Sequence, residues 1–142
     1  MEAEGFLVVL DGSATSERAV DVALAYAEKA GESVTLLAII PPRLWRAKQG
    51  QFQVPPDNHD EAFAHSLIAA AKARCAERGV KAIGRLRSGP PAHVIEEEAA
   101  RGYEMVVIGE RRNLVGAPSL VSIVRDKLPV PLEVVEETAQ AG

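Results

Sequence analysis

The sequence predicts an α/β fold: a single domain over residues 1–142 with an open parallel sheet covered by helices on both faces. Three observations predict it. Helical patterns rich in Ala, Glu, Lys and Arg close at Gly31, Gly79 and Gly102, in "YAEKAGESVTLLAII", "CAERGVKAIGRLR" and "EAARGYEMVVIG". Glycine just past a helix adopts the left-handed conformation that ends it at little cost. Each glycine is followed within a few residues by an apolar run rich in Val, Ile and Leu, too short for a helix and suited to a strand. Strands that alternate with helices form a parallel sheet, because each crossover lays its helix on a sheet face.

Each element follows from its own pattern. "FLVVL" (6–10) is wholly apolar and reads as an interior strand. Residues 15–30 form a helix whose inward stripe is Ala19, Val20, Ala23, Leu24 and Ala27. "VTLLAII" (34–40) is a second interior strand. Residues 41–60 then form a 20-residue link with four prolines and two aromatics, Trp45 and Phe52. Links of that length are lids, binding loops or disorder. A helix over 61–78, with Asp60 as N-cap, turns Phe63, Leu67, Ala70, Ala71 and Cys75 inward. "KAIGRLR" (81–87) separates Ile83 and Leu86 by polar or small residues, which suits an edge strand. "GPPAHVIEEEAARG" starts a helix with Pro91 in its first turn, where a missing N–H costs nothing, and turns Val94, Ile95 and Ala99 inward. "EMVVIG" (104–109) is the third interior strand, a short helix over about 119–128 follows, and "PVPLEVV" is the last strand.

Composition removes several function classes. A net charge of −4 disfavours nucleic acid as the main partner. No apolar run approaches the roughly 18 residues of a membrane span. "MEAEGFLVVLDGS" carries two acids ahead of its apolar run and lacks the basic start of a signal peptide. With one cysteine, Cys75, no internal disulfide forms, and a cytoplasmic location is expected. His59 and His65 are six apart across a loop-to-helix change, and His93 reads as a surface residue, so no metal site is expected.

A parallel sheet binds ligands at the carboxyl ends of its strands, where the strand order reverses. Three ends matter: Asp11-Gly12-Ser13, Ile39-Ile40 and Gly109. Asp11 either touches a ribose or base, or holds the turn that follows it. Ser119 is a helix N-cap that could also meet phosphate.

Three segments resemble the universal stress protein family: "FLVVLDGSATSERAVDVALAYAEKAG", "SGPPAHVIEEEAARGYEMVVIG" and "SLVSIVRDKLPVPLEVV". The resemblance spans nearly the whole chain except 41–60 and 110–118. It implies five parallel strands in the order 3-2-1-4-5, the layout also used by adenine nucleotide alpha-hydrolase-like proteins. It also implies dimers through the last strand and, in many members, binding of ATP or AMP by regulators rather than enzymes. The family's phosphate motif is Gly, two residues, Gly, nine residues, then Gly-Ser or Gly-Thr. Carried over, its first glycine is Gly109, its second position is Arg112 and its final pair is Pro118-Ser119, with five residues between instead of nine. The family's strand-one aspartate matches Asp11, and the backbone contact to the base falls near Ile39.

The resemblance thus assigns nucleotide contacts to Asp11, Ile39, Gly109, Arg112 and Ser119. Arg112 carries a long side chain where the motif has glycine, and Pro118 has no N–H to offer an oxyanion. Arg111 and Arg112 offer charge-assisted bonds to phosphate instead. The expectation is a homodimeric regulator with a weak or altered ATP/AMP site, pairing through residues 128–135 by the face Leu128, Val130, Leu132 and Val134. The alternative is a dimeric interaction module of the same fold that no longer binds ATP. No nucleophile, base and orienter set falls at any strand end, so no enzyme is expected.

Overall fold

Phe6–Leu10 (β1) is buried at every residue and forms the centre of the sheet. The computed structural model describes residues 5–40, 59–110 and 120–136, with the side chains of residues 59 and 60 outside that description. After β1 come Ala14–Ala30 (α1), Val34–Ile40 (β2), His59–Glu77 (α2), Ala82–Ser88 (β3) and Pro91–Ala99 (α3). Met105–Glu110 (β4), Leu120–Val124 (α4) and Leu132–Glu136 (β5) complete the order. All strand pairs are parallel, and the sheet runs β3-β2-β1-β4-β5. The three apolar runs are the three interior strands, and the polar-interrupted run is an edge, as their patterns require.

Two cores sandwich the sheet. On one face the α1 stripe of Ala19, Val20, Ala23, Leu24 and Ala27 packs with Phe6, Val8, Leu10, Leu36 and α2. On the other, Val94, Ile95 and Ala99 of α3 and Val121 and Val124 of α4 cover Leu7, Leu37, Val106 and Ile108. Successive strand residues alternate between the cores because side chains on a strand point to opposite faces. Gly31, Gly79 and Gly102 all have positive φ, at 68°, 72° and 99°, where the helical patterns close.

Helix α2 and strand β3 depart from their sequence reading. Helix α2 starts at His59, which places Asp60 inside its first turn and not at the cap. Its buried stripe is Ala64, Ile68, Ala71 and Cys75, while Phe63 is 57% exposed. The stripe Phe63–Leu67–Ala70 would continue into Arg74, whereas Ala64–Ile68–Ala71–Cys75 is apolar throughout, and burial follows the unbroken one. On β3, Ile83 and Leu86 face opposite sides. Leu86 packs on the first core and Ile83 is exposed.

Helix α3 buries a carboxylate that its pattern did not mark. Glu98 is fully buried, one turn beyond Val94 and Ile95. Its Oε1 accepts from Arg85 Nε at 2.9 Å and Arg87 Nη1 at 2.8 Å, and its Oε2 accepts from the Tyr103 hydroxyl at 3.3 Å. Burial alone would push this carboxyl up. The hydrogen bonds donated by Arg87 and Arg85 outweigh it and hold Glu98 below the ordinary carboxylate range.

Cys75 is fully buried on α2. Burial pushes its thiol up, against the pull of the neighbouring Arg74 and Arg78. The thiolate is the reactive species. Cys75 is therefore expected to resist iodoacetamide in the native protein and to be alkylated in concentrated urea. Prompt native labelling, read by mass, would contradict its burial.

Candidate functional site

Strand β1 has β2 on one side and β4 on the other, so the chain leaves it in one direction and returns in the other. A crevice opens where two crossovers depart from one point to opposite faces. Here it is floored by Val9, Leu10, Ala38, Ile39, Ile108 and Gly109. Phe63, Ala64 and Leu67 of α2 wall one side, and Pro91 and Leu120 lie at the other. The described residues bound a space of about 360 Å³, at the small end for a ligand site.

Asp11 carries the charged side chain of that lining among the described residues. Its Oδ1 accepts from Ser13 N at 2.8 Å and Ser13 Oγ at 2.6 Å. Ser13 Oγ in turn accepts from Ser16 N at 3.1 Å and caps α1. The Asp11 N–H donates to Ser16 Oγ at 3.1 Å. From the sequence alone Asp11 is either a ligand contact or a loop brace. Oδ1 braces the loop, and the residue remains exposed at the cleft.

Ile39 is placed by ladder arithmetic. Phe6 N donates to Ser33 O and Val34 N to Lys81 O, so odd residues of β2 face β1 and even ones face β3. The last β1–β2 partner pair is Leu10↔Ala38, while β2 runs on beside β3 to Ile40. The Ile39 carbonyl thus points over the end of β1, into the cleft, where no further strand residue meets it. Ile40 faces the other way, and its carbonyl accepts from Gly89 N at 3.0 Å.

Gly109 lines the cleft and also meets α1 from below. A Cβ there would sit 2.8 Å from the backbone C and O of Thr15 and from Thr15 Cγ2. Close packing of strand against helix thus demands this glycine whether or not a ligand is bound. The structure brings Asp11, Ile39 and Gly109 to one cleft. Arg112 and Ser119 lie outside the described residues, as do Arg111 and Trp45.

Phe63, expected in the core from its place on the stripe, belongs to the cleft wall instead, while Leu67 packs on the first core as expected and also lines the cleft. Gly12, at φ 85°, lies beneath Phe63: a Cβ there would be 2.9 Å from Phe63 Cζ. The usable signal was the break at Arg74, which turns the Phe63 face away from the core. Among the described residues no group of three or more His, Cys, Asp or Glu could hold a metal ion. His65 and His93 are surface residues paired with Glu61 and Glu97 of their own helices. No helix among the described residues is long and apolar enough to cross a membrane.

A parallel 3-2-1-4-5 sheet with an apolar cleft over its switch point and a carboxylate at the first strand end defines a Rossmann-like α/β protein with a candidate small-ligand cleft. The universal stress protein family model matches residues 4–131. The chain belongs to that family. No curated protein matches the sequence. Among solved structures, the hypothetical protein MJ0577 is 22% identical with a TM-score of 0.80, over 99% of this chain and 100% of that one. The universal stress protein from Archaeoglobus fulgidus in complex with dAMP is 19% identical with a TM-score of 0.73, over 95% and 99%. An Arabidopsis thaliana family protein with AMP bound is 17% identical with a TM-score of 0.65, over 95% and 92%.

Proposed function

We propose that this protein is a regulatory, non-enzymatic adenine-nucleotide binder, one domain over residues 1–142, that prefers AMP to ATP and works as a cytoplasmic homodimer. One observation carries the ligand class: an apolar cleft at the ends of β1, β2 and β4 that presents the Asp11 carboxylate and the Ile39 carbonyl together. Both groups only accept hydrogen bonds. A ribose and an adenine amino group only need acceptors there, and the aliphatic floor suits a base. A phosphate beside Asp11 would meet like charge, so the anion must extend toward residues 110–119. In that direction Arg112 and Ser119 would contact it, while Pro118 and the shortened spacing leave fewer backbone N–H donors than the family motif supplies. The monophosphates named for the Archaeoglobus and Arabidopsis relatives support an adenine nucleotide as the ligand class.

Acid extraction of the purified protein tests the reading, with released nucleotide identified by mass. Thermal unfolding with added AMP should show the rise that mass action requires of a native-state ligand. ATP binding tighter than AMP by about tenfold, or 1.4 kcal/mol, would overturn the preference. No response to AMP, ATP or cyclic nucleotides would favour the interaction module without a nucleotide.

The dimer reading rests on β5. It is the outer strand beyond β4. Leu128, Val130, Leu132 and Val134 pack on the second core but stay half-buried. An apolar edge strand invites pairing, and a twofold copy of itself closes it. Sedimentation at micromolar concentration should give a dimer, and a monomer there would end this part of the proposal.

A further inference from the structure

We propose that Phe63 is the platform on which the adenine base stacks at the mouth of the cleft; this rests on the nucleotide-binding reading above and names the group that selects the base. A single exposed apolar side chain is ordinary. Phe63 differs in its position. It is 57% exposed, belongs to the cleft wall, and is the aromatic among the described lining residues. The ring lies against Gly12, where a Cβ would be 2.9 Å from Phe63 Cζ and 3.5 Å from Leu67 Cδ2. The backbone at Gly12 and the Leu67 side chain thus hold its tip one residue from Asp11. A base on the ring and a sugar at Asp11 are adjacent, as a nucleoside requires. Apart from Asp11 the other described lining residues are aliphatic or glycine, so among them Phe63 supplies the flat π face that a purine prefers to alkyl groups.

The glycine matters to this arrangement. Positive φ at Gly12 turns the chain out of β1, and the missing Cβ lets the ring lie low over the turn. Helix α2 is committed to the orientation by Ala64, Ile68, Ala71 and Cys75 in the core, which turns Phe63 out of it.

AMP and ribose 5-phosphate are titrated into the unaltered chain and into Phe63→Ala, Phe63→Leu and Phe63→Trp. Base stacking on an aromatic predicts that Phe63→Ala and Phe63→Leu weaken AMP about five- to a hundredfold. Phe63→Trp keeps AMP affinity. Its added indole emission, over that of the unaltered chain, is quenched by AMP and not by ribose 5-phosphate. Unchanged AMP affinity in Phe63→Ala, or no selective quenching in Phe63→Trp, overturns the platform while leaving the nucleotide cleft intact. Failure of AMP to bind the unaltered chain overturns the platform and the nucleotide reading together.

Discussion

Replacing Arg85 and Arg87 together with methionine is expected to cost the fold about 3 kcal/mol at neutral pH, near the lower end for breaking a buried ion pair. Methionine keeps most of the stem volume on β3 and removes both guanidinium groups. Glu98 stays fully buried, left with the 3.3 Å contact from Tyr103 and the 3.7 Å approach of Arg101 Nε. A carboxylate taken out of water without strong partners is the costly state, more so than the pair is a gain. Urea unfolding of both proteins measures the difference. A triple variant that also carries Glu98→Leu should recover much of it, because an apolar replacement of a whole buried pair is often close to neutral. Loss below measurement in the double variant would mean that water reaches Glu98.

The pH dependence gives an independent reading. In the natural chain the folded Glu98 carboxyl is held down, chiefly because the bonds from Arg87 and Arg85 exceed the opposing effect of burial. Its contribution is present above the unfolded value of about 4.3 and is lost as pH falls through the lower folded value. Without the arginines, burial raises the folded value above the unfolded one. Folding then pays a penalty at neutral pH that fades as acid protonates the buried group. Both effects act in the same direction on the difference, so the stability gap between the two proteins should narrow as pH falls.

The nearly all-apolar runs at 6–10, 34–40 and 104–109 identify interior strands because both their faces are covered, and the structure places all three inside the sheet. Parallel strands bring their carboxyl ends together, so Asp11, Ile39 and Gly109 line one cleft. Phe63 was misplaced because an Ala-rich helix offers two adjacent stripes. They differ by one residue, which is a 100° rotation, and only the charge at Arg74 distinguishes them. Glu98 was invisible for another reason. In "EEEAA" a glutamate reads as solvated, yet it shares the stripe of Val94 and Ile95, and its partners come from alternate positions of β3. Pairing across elements is tertiary information that neither segment carries alone.

Gly109→Ala is expected to destabilise the chain by about 1–3 kcal/mol, the usual cost of overpacking, through the interior and not through a lost ligand contact. Its backbone is not in the left-handed region, so alanine meets no φ strain there. The cost is steric: the new methyl would lie 2.8 Å from Thr15 C, Thr15 O and Thr15 Cγ2. Two of those atoms are helix backbone and cannot swing aside. The first turn of α1 must lift from β4, and with it Ser13 and Ser16, which hold Asp11 in place. Melting without ligand should therefore fall by several degrees, since 1 kcal/mol is about 2–4 °C in a domain somewhat larger than this one. Adding Thr15→Ser removes only Cγ2 and should rescue part of the loss. Full rescue would show that the side chain alone was in the way. An unshifted melt with weakened AMP binding would instead make Gly109 a ligand-contact glycine, as its place in the family motif alone would suggest.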